Sequence, residues 1–115
     1  MATIPFTTTS LSVIPTLVAQ WTPMQNGDVG GAFSCAEYTD KSVQVFGTFG
    51  SGGSVTLQGS NDGTHWVALS DPQGNVIAIT AAGIKMIEEA TFFIRPAVTA
   101  GDGTTSITCL AMVKK

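Results

Sequence analysis

The segment "SVTLQGSNDGTHWVAL", Ser54 to Leu69, sets two alternating runs on either side of an Asp-Gly pair. In its first half Val55 and Leu57 fall on one face and Ser54, Thr56 and Gln58 on the other, the two-residue period of a half-buried strand. Asp-Gly between such runs is a strong short-range hairpin signal, because both central positions of a type I′ turn need positive φ. Asn61 and Asp62 tolerate that region, and Gly63 enters it without a Cβ penalty. The segment reads as strand, bend, strand, with Trp66 on the second strand as a core ring or a cap on the sheet.

The same period recurs on both sides of it. "SVQVFGTF" puts Val43 and Val45 on one face, with Gln44 and Thr48 opposite. "TSITCLAMV" lines up Ile107, Cys109, Ala111 and Val113 against Leu110 and Met112, so that its end is apolar on both sides. That strand belongs in the middle of a sheet, or has an outer face that meets a neighbour. "TFFIRPAV" buries Phe92 and Ile94 and sends Phe93 and Arg95 outward. Pro96 cannot donate to a ladder, so this strand lies at an edge or is interrupted there.

About eight strands follow, around 18–23, 32–38, 42–49, 54–59, 65–69, 76–79, 92–98 and 105–113, separated by Gly-, Asp- or Asn-marked turns. The expected fold is all-β, a two-sheet β-sandwich that is jelly-roll-like or a related Greek key. "SDPQGN" sets Pro72 at a turn's second position with Gly74 closing it, and Asp102-Gly103 marks a further turn before the last strand. "GTFGSGGS" reads as a flexible loop. "AAGIKMIEEA", Ala81 to Ala90, fits one helical turn or a short strand.

The first twenty residues carry β-formers, Pro5 and Pro15, and no hairpin partner nearby. They read as a first strand, or as an extended arm over residues 1–16 ahead of a sandwich domain at 17–115. Ile4, Phe6, Leu11, Val13 and Ile14 are the arm's candidate anchors on another subunit. No basic n-region or clean apolar h-region marks a secretory signal.

A chain of 115 residues makes one domain, large enough for a core without staples. Only 11% of it is charged, against about 25% in ordinary soluble domains. A surface so nearly neutral is tolerated best when partners cover much of it. Five basic residues against eight acidic ones leave no basic patch, so nucleic acid is not an expected partner. No apolar run reaches the roughly 18 residues that would span a membrane. Cys35 and Cys109 sit in apolar alternating contexts and read as buried thiols rather than a disulfide.

No constellation for chemistry emerges. His65 has Ser60, Asp62, Ser70 and Asp71 close in sequence, but a triad needs groups converging from different elements and an oxyanion hole. No Gly-x-Ser-x-Gly elbow is present. Glu88 and Glu89 are adjacent and face opposite ways on a strand. Asp62, Asp71 and Asp102 lack the spacing of a calcium loop, and two distant cysteines with one histidine are too few for a zinc site. The expectation is a non-enzyme with no catalytic residues, no metal and no cofactor.

"SVTLQGSNDGTHWVALSDPQGN" followed by "FFIRPAVTAGDGTTSITCLAMVKK" resembles small structural proteins of tailed bacteriophages, most nearly the capsid decoration, or cement, class. The resemblance covers about half the chain, Ser54 to Lys115. It implies a sandwich on the capsid exterior of the virion, assembled in the host cytoplasm. Its implied partners are the major capsid protein and further copies of itself, as a homotrimer or homodimer. The alternative is a sandwich module for carbohydrate or a host receptor, in adhesion or as a tail part, with Trp21, Tyr38, Trp66 or His65 stacking on sugar rings.

Overall fold

The computed structural model describes residues 2–10 and 16–115. Twelve strands run in chain order as β1 (Thr3–Ile4), β2 (Phe6–Ser10), β3 (Thr16–Met24), β4 (Val29–Gly30), β5 (Phe33–Ser34), β6 (Asp40–Thr48), β7 (Ser54–Ser60), β8 (Val67–Ala68), β9 (Ala78–Ile79), β10 (Gly83–Met86), β11 (Phe93–Ala100) and β12 (Ser106–Lys114). They form two sheets packed face to face. One has the order β10-β6-β12-β3-β2. The other runs β1-β4-β11-β7-β8, with β5 also on β11 and β9 on β7. The fold is thus the all-β, two-sheet sandwich that the alternation implies.

The core is built from inward faces read off the period-two pattern. Val43 and Val45 of β6, Val55 and Leu57 of β7, and Ile107, Cys109, Ala111 and Val113 of β12 are all buried. β12 lies between β6 and β3, as its two-sided apolar end requires. Both cysteines are buried and unpaired, and burial pushes the Cys109 thiol up to about 12. In β3, Trp21 and Met24 both face inward although they are three residues apart, which regular alternation forbids. The register against β12 slips between Ile107 and Cys109, placing a bulge at Thr22–Pro23. Pro23, unable to donate, occupies that break in the ladder.

Three expectations are corrected. β11 is not an edge strand: β7 flanks one side, and β4 and β5 the other. Phe92 O and Val98 N both bond toward the β4/β5 side, so by alternation the Pro96 nitrogen faces that side too. There it meets the gap between two short strands. The sheet accommodates proline by interrupting the neighbour rather than β11 itself. Close to this gap, a Cβ on Gly30 would sit 2.6 Å from Pro96 Cδ and 2.8 Å from the Trp21 ring, so only glycine lets the sheets close here. Second, Phe92 is 46% exposed rather than buried, because β11 begins one residue later. Third, the Asp-Gly bend is not a type I′ turn, since no described residue other than glycine has positive φ.

Residues of the predicted arm take part in the chain's own sheets. β1 pairs in parallel with β4, and β2 pairs antiparallel with β3. Ile4 and Phe6 pack half-buried against the core, and the Phe6 ring meets Trp21 and Phe33 edge-on at 6.1 and 5.2 Å. Leu11, Val13 and Ile14 lie outside the described residues.

Candidate functional site

The strand registers assemble a continuous surface on the outer face of the five-stranded sheet. Two neighbouring rows cross all five strands. One reads Ile84, Gln44, Leu110, Gln20, Thr7, and the other Met86, Ser42, Met112, Val18, Thr9. Neither row contains a charge. Ile84 is 61% exposed, Met86 51%, and Phe46, on the adjoining row beside Thr108, 41%. Between the two methionines Ser42 is small, leaving a shallow groove of about 400 Å³ bounded at one end by Asp40, Lys41 and Lys114. Charge is confined to that margin. With strands about 4.8 Å apart and alternate residues about 6.7 Å apart, the apolar and neutral area is on the order of 400 Å². Half of the residues in the two rows are apolar, so the apolar part is on the order of 200 Å², a size that monomeric proteins commonly leave bare.

The Asp-Gly bend is a polar loop rather than a tight hairpin, spanning six residues between β7 and β8. Ser60 Oγ accepts from the Asp62 and Gly63 amides and donates to Asp62 Oδ1 at 2.8 Å. Asp62 Oδ1 in turn accepts from the Thr64 and His65 amides, and Asp62 Oδ2 lies 2.7 Å from His65 Nδ1. Gly63 holds φ +78°, and Asn61 Oδ1 accepts from Phe92 N, tying the loop to the start of β11. The three groups of the apparent triad therefore run Ser60–Asp62–His65, with the carboxylate in the middle. The imidazole does not bond to the hydroxyl, so this order lacks the base–nucleophile contact of a triad.

Those donors, first the His65 and Thr64 amides, then the His65 ring and Ser60, hold the Asp62 carboxyl far below the usual carboxylate range. A depressed folded-state value stabilises the fold above the unfolded value of about 3.9, and the contribution is lost as pH falls below it. Asp62→Asn, which keeps an acceptor and removes the charge, is expected to melt below wild type at neutral pH. The difference should shrink steadily below about pH 4. Paired thermal melts across that range check it, and a pH-independent gap would contradict the assignment.

No family model and no curated protein sequence matches this chain. Among solved structures, the SPBc2 prophage-derived protein YomS aligns with a TM-score of 0.66 at 12% identity, over 92% of this chain and 100% of YomS. The fold resembles that of YomS. At that identity the likeness is one of architecture, not of side chains. A second structure, FeII HppE, aligns at a TM-score of 0.40 and 13% identity over 94% of this chain and 49% of that one, too low to indicate a common fold.

The remaining sequence candidates do not converge. Asp102 accepts from the Thr104 amide, the Thr104 hydroxyl and the Ser51 amide, joining two loops at one end of the sandwich. These contacts, Thr104 foremost, hold its carboxyl below the ordinary range. A turn closes from Thr105 N to Asp102 O across Gly103, where an added Cβ would meet nothing within 4 Å. Asp71 turns its carboxylate onto the Gln73 and Asn75 amides. Among the described residues no cluster of His, Cys, Asp and Glu has the geometry to hold a metal ion. Trp21 is fully buried, Tyr38 is 8% exposed, and Trp66 carries the Arg95 guanidinium 4.1 Å above its ring. The four proposed sugar-stacking rings therefore share no platform. Sequence reasoning missed the joining of Ile84 and Met86 with Leu110 and Met112. Its signal was the apolar second face of β12 together with the strand reading of residues 83–86.

Proposed function

We propose that this protein is a structural component of a tailed-bacteriophage virion that binds the outer surface of the capsid as a decoration protein, through the outer face of its five-stranded sheet. The observation that carries this reading is the pair of uncharged rows across that sheet, flat, half apolar and edged by charge at one end. Its likeness in fold to a prophage-derived protein supports the phage setting. So does the resemblance of the second half of the chain to the cement class. A standard specific interface buries about 800 Å² per partner, so a face of roughly half that size binds weakly as a single copy. Repetition on a capsid lattice, or within a cyclic oligomer, converts such contacts into tight binding through effective concentration. A rigid sandwich loses little entropy on docking. Binding the expanded lattice better than the unexpanded one would shift the shell toward its mature form.

Co-sedimentation with empty expanded heads of the cognate phage tests this. Saturable binding, at a stoichiometry matching one class of lattice position, is expected. A protein that stays in the supernatant with every such shell would overturn the reading.

A further inference from the structure

A second site lies at one end of the sandwich and adjoins the outer-face groove through Lys41, which lines both. Lys41 shares the inward face of β6 with Val43 and Val45, and only 3% of its surface is exposed. Its Nζ donates one long hydrogen bond, 3.4 Å to Tyr38 O, although an ammonium carries three donors. Among the described residues it forms no ion pair. A buried cation so thinly satisfied is costly unless something else meets it. Lys41 lines a pocket of about 240 Å³, opened between the β5–β6 loop and the residues leading into β11. Nearby, burial pushes the Cys35 thiol up and the Lys41 charge partly offsets that rise.

The rest of the wall defines what fits. Asn61 Oδ1 is occupied by Phe92 N, which orients the amide and leaves its NH₂ to donate. The Thr91 hydroxyl is spent on Phe93 O. Phe92 offers a half-exposed ring, packed against Phe93 at 4.7 Å with the planes tilted by 55°. Among the described residues Lys41 is the one cation in the wall, so the charge to be met there is single. A phosphate, carrying about −1.5 to −2, would be under-neutralised. The volume lies below the roughly 300–1,000 Å³ of pockets for drug-sized ligands, enough for one ring or a short acid. We propose that this pocket binds a monocarboxylate no larger than a single sugar acid, with the carboxylate on Lys41 Nζ, the apolar edge against Phe92 and a hydroxyl on the Asn61 amide. It does not depend on the capsid-docking reading.

Amide NMR titrations of the full chain with galacturonate, butyrate, galactose and inorganic phosphate test it. Saturable shifts at Ala36, Asn61, Thr91 and Phe92 are expected with both carboxylates and not with neutral galactose. Tighter binding of galacturonate than butyrate is expected from the hydroxyl contact to Asn61, and the reverse would overturn that contact. Lys41→Met, which replaces the buried charge by an apolar chain, should weaken carboxylate binding about tenfold to a hundredfold while keeping the fold. If that variant does not fold, Phe92→Ala serves in its place and should weaken both carboxylates several-fold. Unchanged affinity in the folded variant, no saturable shift with either carboxylate at millimolar concentration, or preferential binding of phosphate would each overturn the proposal.

Discussion

Trp21→Ala is expected to remove about 3–5 kcal/mol of folding free energy, the range for deleting a fully buried large aromatic ring. Domains of this size hold only about 5–15 kcal/mol in total, so the loss is a large fraction of the whole. Several contacts converge on this one side chain. The ring is wholly buried, with Phe6 and Phe33 edge-on at 6.1 and 6.3 Å. Its Nε1 donates to Gly31 O at 3.0 Å, and the missing Cβ of Gly30 admits its edge. It thereby links β2, β3, β4 and β5 across both sheets. Trp21→Phe keeps most of the packing but leaves the Gly31 carbonyl without its donor, and should cost about 1–3 kcal/mol. Urea titrations should show the midpoint falling with an unchanged slope. A loss below about 1 kcal/mol for the alanine variant would mean that the ring is not the joint described.

The hydrophobic alternation of 42–48, 54–59 and 105–113 was legible because each run is long enough for period two to assert itself, and each became a long central strand. The expected strands over 32–38, 65–69 and 76–79 shrank to two-residue pieces: a turn from Tyr38 N to Cys35 O ends the first, and the loop held by Ser60 and Asp62 takes the start of the second. Four strands had no independent signal or an ambiguous one. β1 and β4 are two residues each and exist only through their mutual pairing and β11. β2 is "FTTTS", with one apolar residue in five, and gains its place from Phe6 on Trp21. β10 sits in a segment whose spacing also fits a helical turn, and pairing with β6 decides it. The turn at Gly63 was located correctly, but its chemistry was not. Side-chain acceptors from Ser60 and Asp62 do what two left-handed residues would do in a type I′ turn.

The candidate sites were harder to see for a related reason. Ile84, Leu110 and Val18 are far apart in sequence and become neighbours only once register is fixed. Lys41, following Asp40, looks like half of a solvated charge pair. Yet it is two residues ahead of Val43 on the same face of an alternating run, and that parity alone puts its side chain between the sheets.

Leu110→Glu tests the outer face most directly, because Leu110 lies on the central strand with the neutral Gln44 and Gln20 on either side. In the free protein Leu110 is half-buried on the outward face of the sheet, from which the longer glutamate side chain reaches water, so the fold should be kept with at most a modest fall in melting temperature. In a docked complex it would be desolvated at the centre of the contact without a counter-charge. Truncating a hot-spot side chain at the centre of an interface costs about 2 kcal/mol or more, roughly thirtyfold in affinity, and an uncompensated buried charge costs more. On a lattice the loss is multiplied, since each copy's weakened contact also lowers the avidity of its neighbours. Co-sedimentation with empty shells is therefore expected to fall from saturable binding to background. Val67→Glu is the matched control: Val67 is 64% exposed on β8, in the opposite sheet, and its replacement should leave binding at the wild-type level. If Leu110→Glu binds shells as wild type does while Val67→Glu fails, the docking face belongs to the other sheet.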